Sequence, residues 1–176
     1  MKEGEAEFGP IHVVVNKAGV TATKAALDQD ERAWDRVIDS NLKGVWLVAQ
    51  AASRRMIANN VRGSIVNIAS ILGLRVAGGV APYAVSKAGV IQMTKALALE
   101  WARYGIRVNA LAPGYFATEL NDDFFETDAG KALIKRVPQR RLGQLTELDG
   151  PLLLLVSDAG SFMADWRAGV ACHRSY

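Results

Sequence analysis

Short β-branched runs alternate along this chain with longer stretches whose apolar residues recur at helical spacing. Ile11 to Val15 lies between Gly9-Pro10 and the turn-forming Asn16 to Gly19, a pattern that predicts a buried strand ending in a turn. Asp30 to about Ser40 predicts a helix that continues, with room for a bend, through Gly44 to Asn59. Ser64 to Ala69 reads as the next strand. Residues 83 to 103 carry Val90, Met93, Leu97 and Trp101 on a helical period, with Pro82 at the start and Gly105 where a C-cap belongs. Ile106 to Leu111 forms a third strand-like run. Strand, helix, strand, helix, strand argues for a parallel sheet covered by helices, with right-handed crossovers placing successive strands side by side. Ligands in such sheets bind beyond the carboxyl ends of the strands.

Composition narrows the function classes. The 176 residues, half of them hydrophobic, suffice for one domain with a substantial core. The formal charge of +3 is spread among acids, and its one dense run, Lys135-Arg136 with Arg140-Arg141, reads as a solvated helix end rather than a nucleic-acid surface. One cysteine, Cys172, excludes an internal disulfide and fits a reducing compartment. His12 and His173 are too few and too isolated for a metal site. No apolar stretch approaches the ~18 residues of a membrane span, and the acidic, polar start does not read as a signal peptide. A cytoplasmic protein with neither nucleic acid nor membrane as partner is expected.

Chemistry concentrates at the ends of the predicted strands. Ser70 closes the run Ser-Ile-Val-Asn-Ile-Ala-Ser, and Tyr83-Ala-Val-Ser-Lys87 opens the following helix. A carbonyl that accepts hydride develops negative charge on oxygen and needs a positioned proton donor. A tyrosine of pKa about 10 is a reluctant one at neutral pH. Residues four apart on a helix share a face, so Lys87 beside the phenol would favour its ionised form, and Ser70 would hold the substrate oxygen. Tyr-x-x-x-Lys alone is common on solvated helices; its setting between two strand-like runs gives it weight.

With these residues in place, the chain resembles the short-chain dehydrogenase/reductase family from about residue 9 to residue 163. Val13 to Gly19 looks like the family's Asn-Asn-Ala-Gly turn with Lys17 replacing the second asparagine. Asn41, in Ser-Asn-Leu-Lys-Gly, matches the fourth catalytic position. Arg107 to Gly114, followed by Thr118, matches the segment that meets the nicotinamide end of the cofactor. The resemblance implies catalytic roles for Asn41, Ser70, Tyr83 and Lys87. It implies cofactor contacts from Asn16, Ala18, Gly19, Tyr83, Lys87, Pro113, Gly114 and Thr118, and no metal. Plainer roles stand beside several of these: a turn for Gly19, backbone hydrogen bonds for Asn16, an N-cap for Thr118, and a buried asparagine at a helix bend for Asn41. The implied activity interconverts an alcohol and a ketone or aldehyde with NAD or NADP, on a small-molecule substrate. The resemblance also implies a mobile cover over the substrate for residues 115 to 140, for which a surface helix pair burying its phenylalanines is the rival. Leu152 to Val156, strand-like in composition, becomes a helix.

The chain departs from its family at both ends. No Gly-x-x-x-Gly-x-Gly turn precedes Ile11, so a partial Rossmann-like doubly wound parallel sheet lacking the N-terminal strands is expected, with cofactor binding weakened or lost. Residues 1–163 form the partial domain and 164–176 a divergent tail. Both outer neighbours of a three-strand core would be gone, leaving open edges prone to aggregation. The alternative to an enzyme is a non-catalytic truncated relative acting through its helices at about 40 to 60 and 83 to 104, as a homo-oligomer or as the partner of a full-length paralogue.

Overall fold

The computed structural model describes residues 2–118, 122–165 and 167–170. Four parallel strands lie in sequence order: β1 (Val13–Asn16), β2 (Ser64–Ile68), β3 (Arg107–Pro113) and β4 (Arg167–Val170). The register runs Val15 against Val66 and Val66 against Asn109, with Ala110 opposite Arg167. The α/β class and the order of the first three strands are as the sequence pattern predicts. β4 is a correction: the open edge expected beside the third strand is paired, by residues assigned to the divergent tail. Residues 166 and 171–176, with Cys172 and His173, lie outside the described residues.

Around the sheet run α1 (Lys2–Phe8), α2 (Glu31–Ile38), α3 (Gly44–Ala58), α4 (Ala81–Trp101), α5 (Asp122–Glu126), α6 (Asp128–Ile134) and α7 (Asp149–Val156). Asp30 caps α2 by accepting the Ala33 amide at 2.8 Å. The bend allowed for after Ser40 is a π-helical turn, Asp39–Lys43, that joins α2 to α3 without a break in the chain's helical course. Pro82 sits in the first turn of α4, where its missing N–H costs nothing. A short 3₁₀ turn then ends at Gly105 in the left-handed region, φ +71°.

Side chains alternate across the sheet as a period of two requires. Ile65 and Val108 meet Ala49 and Met56 of α3 and Leu97 of α4, while Val66 and Leu111 pack on Leu155 of α7. α7 is pinned at its C-terminal end, where Ser64 Oγ and Arg107 Nη1 donate to the Leu155 carbonyl at 2.8 and 2.7 Å. Val13 and Val15 share the α7 face but lie beyond its reach, and both are about two-fifths exposed. α1, which the pattern of residues 2–8 does not announce, docks on α3 through Glu5, whose carboxylate accepts from Arg55 Nε at 2.6 Å. No helix among the described residues is long and apolar enough to cross a membrane.

A polar thread crosses the apolar layer between sheet and helices. Asn16 Nδ2 donates to Asn67 Oδ1, Asn67 Nδ2 to Thr94 Oγ1, both at 2.9 Å, and Thr94 Oγ1 to the Val90 carbonyl at 2.8 Å. Three elements, β1, β2 and α4, are thereby fixed in rotation, because the groups are buried and no water competes for them. Asn67→Leu leaves the Asn16 amide without its near acceptor and is expected to cost about 2 kcal/mol. Urea denaturation checks this, and a midpoint unchanged from the parent would contradict it.

Candidate active site

The turn that follows β2 sets the site. Ser70 caps a 3₁₀ turn, Ile71–Gly73, its Oγ accepting the Leu72 amide at 3.1 Å. This turn leans directly on the backbone of α4: a Cβ on Gly73 would lie 2.7 Å from the carbonyl carbon and 2.8 Å from the carbonyl oxygen of Lys87. Only a residue without a side chain permits that approach. Ser70 and Tyr83, on different elements, thereby line the same cavity.

Lys87 lies one turn along α4 from Tyr83, is 3% exposed, and donates from Nζ to the Ile68 carbonyl at 2.7 Å. Its ammonium sits over the Tyr83 ring, 5.6 Å from the centroid. Burial lowers its pKa from 10.5 to about 8. The phenol departs from the sequence expectation. Its pKa is raised above 10, because burial outweighs the opposing hydrogen bond from Ser70. The lysine is close, but it lies over the ring face rather than at the hydroxyl.

Asn41 occupies the π-helical turn and is fully buried. Its Nδ2 donates to the Val20 carbonyl at 2.8 Å and to Ser86 Oγ at 3.1 Å, and its Oδ1 accepts the Val20 amide at 2.8 Å. The loop after β1, the π turn and α4 are joined at this one side chain. Gly19 stands beside it; a Cβ there would come within 3.4 Å of both Asn41 Oδ1 and Lys87 Nζ. Asn16 is buried, with its amide turned to Asn67 and, at 3.5 Å, to the Val45 carbonyl. Ala18 is exposed, Pro113 ends β3, Gly114 follows it, and Thr118 is half-buried four residues on. Asn16 to Gly19, Ser70 and Pro113-Gly114 thus come together at the carboxyl ends of adjacent strands.

Beside Ser70 and Tyr83 opens a cavity of about 310 Å³, lined in part by Gly114, Tyr115, Phe124, Phe125 and Leu133. Residues 115 to 140 include the helix pair α5 and α6, with Phe125 buried and Phe124 at the rim. Tyr115, Thr21 and Thr23 also line the cavity, and sequence reasoning misses them; the sole clue is that Tyr115 directly follows Gly114.

A nicotinamide dinucleotide suits the donor set at the strand ends. Lys87 presents a buried ammonium held by the Ile68 carbonyl, and Gly19 leaves open the space above it that a side chain would fill. Such a cation, bonded to a neutral acceptor, matches neutral ribose hydroxyls. This match concerns the ribose and nicotinamide end of the group.

The family model described as enoyl-(acyl carrier protein) reductase matches residues 1–165. Among curated relatives, 2-dehydro-3-deoxy-D-gluconate 5-dehydrogenase of Escherichia coli (strain K12) is 38% identical over 166 residues, covering 94% of this chain and 66% of the relative. Gluconate 5-dehydrogenase of Gluconobacter oxydans (strain 621H) is 38% identical over 160 residues, covering 90% and 62%. The solved gluconate 5-dehydrogenase from Burkholderia cenocepacia J2315, in complex with NADP and tartrate, superposes with a TM-score of 0.92 at 40% identity, over 96% of this chain and 66% of that one. The chain spans just under two thirds of the length of these three proteins.

Gly73→Ala is expected to force the turn off α4 at a cost of about 1–3 kcal/mol, lowering the melting temperature by roughly 2–12 °C. Gly78→Ala is the control, since a Cβ there meets nothing within 4 Å. Calorimetric melts in which both variants match the parent would show the approach to be slack.

Proposed function

The chain belongs to the short-chain dehydrogenase/reductase family, and from that premise we propose that it interconverts a secondary alcohol and a ketone, or an alcohol and an aldehyde, with NAD or NADP. The observation that carries this reading is Ser70 and Tyr83 lining one cavity beyond the strand ends, with the Lys87 ammonium over the phenol ring. A bound nicotinamide dinucleotide supplies or receives the hydride.

Ser70 Oγ and Tyr83 Oη present two donors to one carbonyl oxygen and fix its position. In reduction Tyr83 gives its proton to that oxygen as negative charge develops. A raised phenol pKa keeps the proton in place at neutral pH, which suits the donor role; the reverse reaction needs the phenolate and gains from alkali. Lys87 favours the phenolate left behind and, with Gly19 beside it, faces the space assigned to the ribose. Asn41 acts through position, holding the Val20 loop and α4 about the lysine. Asn16 supports the turn from within, Ala18 and Gly19 offer backbone to the adenosine side, and Pro113, Gly114 and Thr118 bound the nicotinamide side.

Reduction requires Lys87 charged. The ammonium is present below pH about 8 and lost above it, so kcat/KM for reduction is expected to fall as pH rises through about 8. Tyr83→Phe is expected to lower reduction at least a hundredfold while leaving nucleotide affinity, read by fluorescence titration, within a few-fold of the parent. A Tyr83→Phe variant that keeps its turnover, or a profile flat to pH ~10, would remove Tyr83 and Lys87 from the chemistry.

Self-association is the partner reading the surface favours. Trp46, Leu47 and Val48 on α3 and Val85 and Leu99 on α4 are exposed, and Val85 and Leu99 fall on one stripe of their helix. Two copies meeting through these helices would cover them. Sedimentation velocity is expected to show a dimer or larger species at micromolar concentration; a monomer throughout would refute this.

A further inference from the structure

The gluconate and 2-dehydro-3-deoxy-D-gluconate 5-dehydrogenases named above act on sugar acids, yet the cavity beside Tyr83 has a different chemistry. Its outer wall is three aromatics, with Phe125 in contact with each of the other two. Phe125 meets Tyr115 edge-on at 6.2 Å and 82°, and Phe124 at 5.3 Å and 64°. Leu133, Ile71, Leu72, Ala77 and Val80 complete the apolar side-chain lining. The polar side-chain groups on the lining are hydroxyls, from Thr21, Thr23, Ser70, Tyr83 and Tyr115. Among the described residues, no carboxylate and no cation lines the cavity. Arg75, whose charge reaches Tyr115, is not one of the lining residues.

A sugar acid would bring an ionised carboxylate and several hydroxyls into this space. The lining hydroxyls could meet a sugar's hydroxyls, but an ionised carboxylate would find no counter-charge among the described lining residues, and an unpaired buried charge is costly. A flat apolar group has the opposite balance: it covers Phe124, a large aromatic left 45% exposed at the rim, and takes up the edge-and-face geometry that the three rings already display. We infer that the site, acting as the oxidoreductase proposed above, takes a neutral aryl ketone or the matching secondary alcohol rather than a polyhydroxylated acid. In reduction the carbonyl π bond opens. Its carbon gains a hydride from a reduced nicotinamide dinucleotide, which is oxidised, and its oxygen gains the proton of Tyr83, which solvent replaces.

Isothermal titration of the full chain and of Tyr83→Phe with propiophenone and with 5-keto-D-gluconate tests the inference apart from turnover. Propiophenone is expected to bind both proteins at least tenfold more tightly than the keto acid. Phe124→Ala, a change at an exposed position, is expected to weaken propiophenone roughly tenfold or more with an unchanged melting temperature. Leu133→Arg, which sets a cation in the lining, should move the preference toward the acid. Equal or tighter binding of the keto acid, or a Phe124→Ala variant that binds propiophenone as the parent does, would overturn the inference. Propiophenone that binds but is not reduced with NADH or NADPH supports the substrate class and removes the proposed reaction. Reduction of the keto acid without propiophenone binding keeps the reaction and overturns the class.

Discussion

One carboxamide holds the working end of this fold together. Asn41 gives both amide protons and takes one amide proton in return, and its partners lie on the loop after β1 and on α4, far apart in sequence. With the carboxamide itself fully buried, its bonds are not exchanged for water, so the side chain acts as a rigid joint rather than a surface contact. The π turn that carries it widens the helix at the one place where a straight α-helix would aim the residue elsewhere. A local irregularity of the backbone thereby fixes the relation of Gly19 to Lys87.

Two close backbone approaches complete the joint. Gly73 lets the Ser70 turn rest on the Lys87 peptide, and Gly89 lets Leu42 of the π turn press against α4 from the other side, where a Cβ would meet its Cδ2 at 2.8 Å. Helix α4 is therefore clamped by neighbours on both flanks of the segment that bears Tyr83 and Lys87. Small residues serve here as spacers: a methyl group at Gly73 would meet backbone and move the phenol relative to the serine, whereas at Gly89 it would meet the end of the Leu42 side chain, which can shift. The cavity wall formed by Tyr115, Phe124 and Phe125 hangs from separate elements, so the apolar part of the site and its Ser70–Tyr83–Lys87 part are held by different contacts.

The strands and long helices are legible in the sequence because their signals are local. Period, β-branching, Pro82 and Gly105 together locate β2, β3 and α4 to within about two residues, and the family resemblance points to the strand-end cluster. What stays hidden depends on tertiary context. Asn67 and Thr94 look like ordinary polar residues in apolar runs until their partners meet across the core. β4 carries too short and mixed a pattern to be read as a strand, and its pairing rests on the edge that β3 offers. The position of the Lys87 ammonium over the ring, rather than at the phenol oxygen, follows from its bond to the Ile68 carbonyl, which no spacing rule supplies.

Lys87 also couples acidity to folding. Its pKa of about 8 in the folded chain lies below the 10.5 of an ordinary lysine, so between those values the unfolded chain holds a proton that the folded chain has released. By linkage, this residue makes stability increase with pH across that window, at a slope of up to about 1.4 kcal/mol per unit, with its full penalty present below it. The charge that the proposed reaction needs at the strand ends is thus one the native state holds unwillingly, and alkali that firms the scaffold removes it.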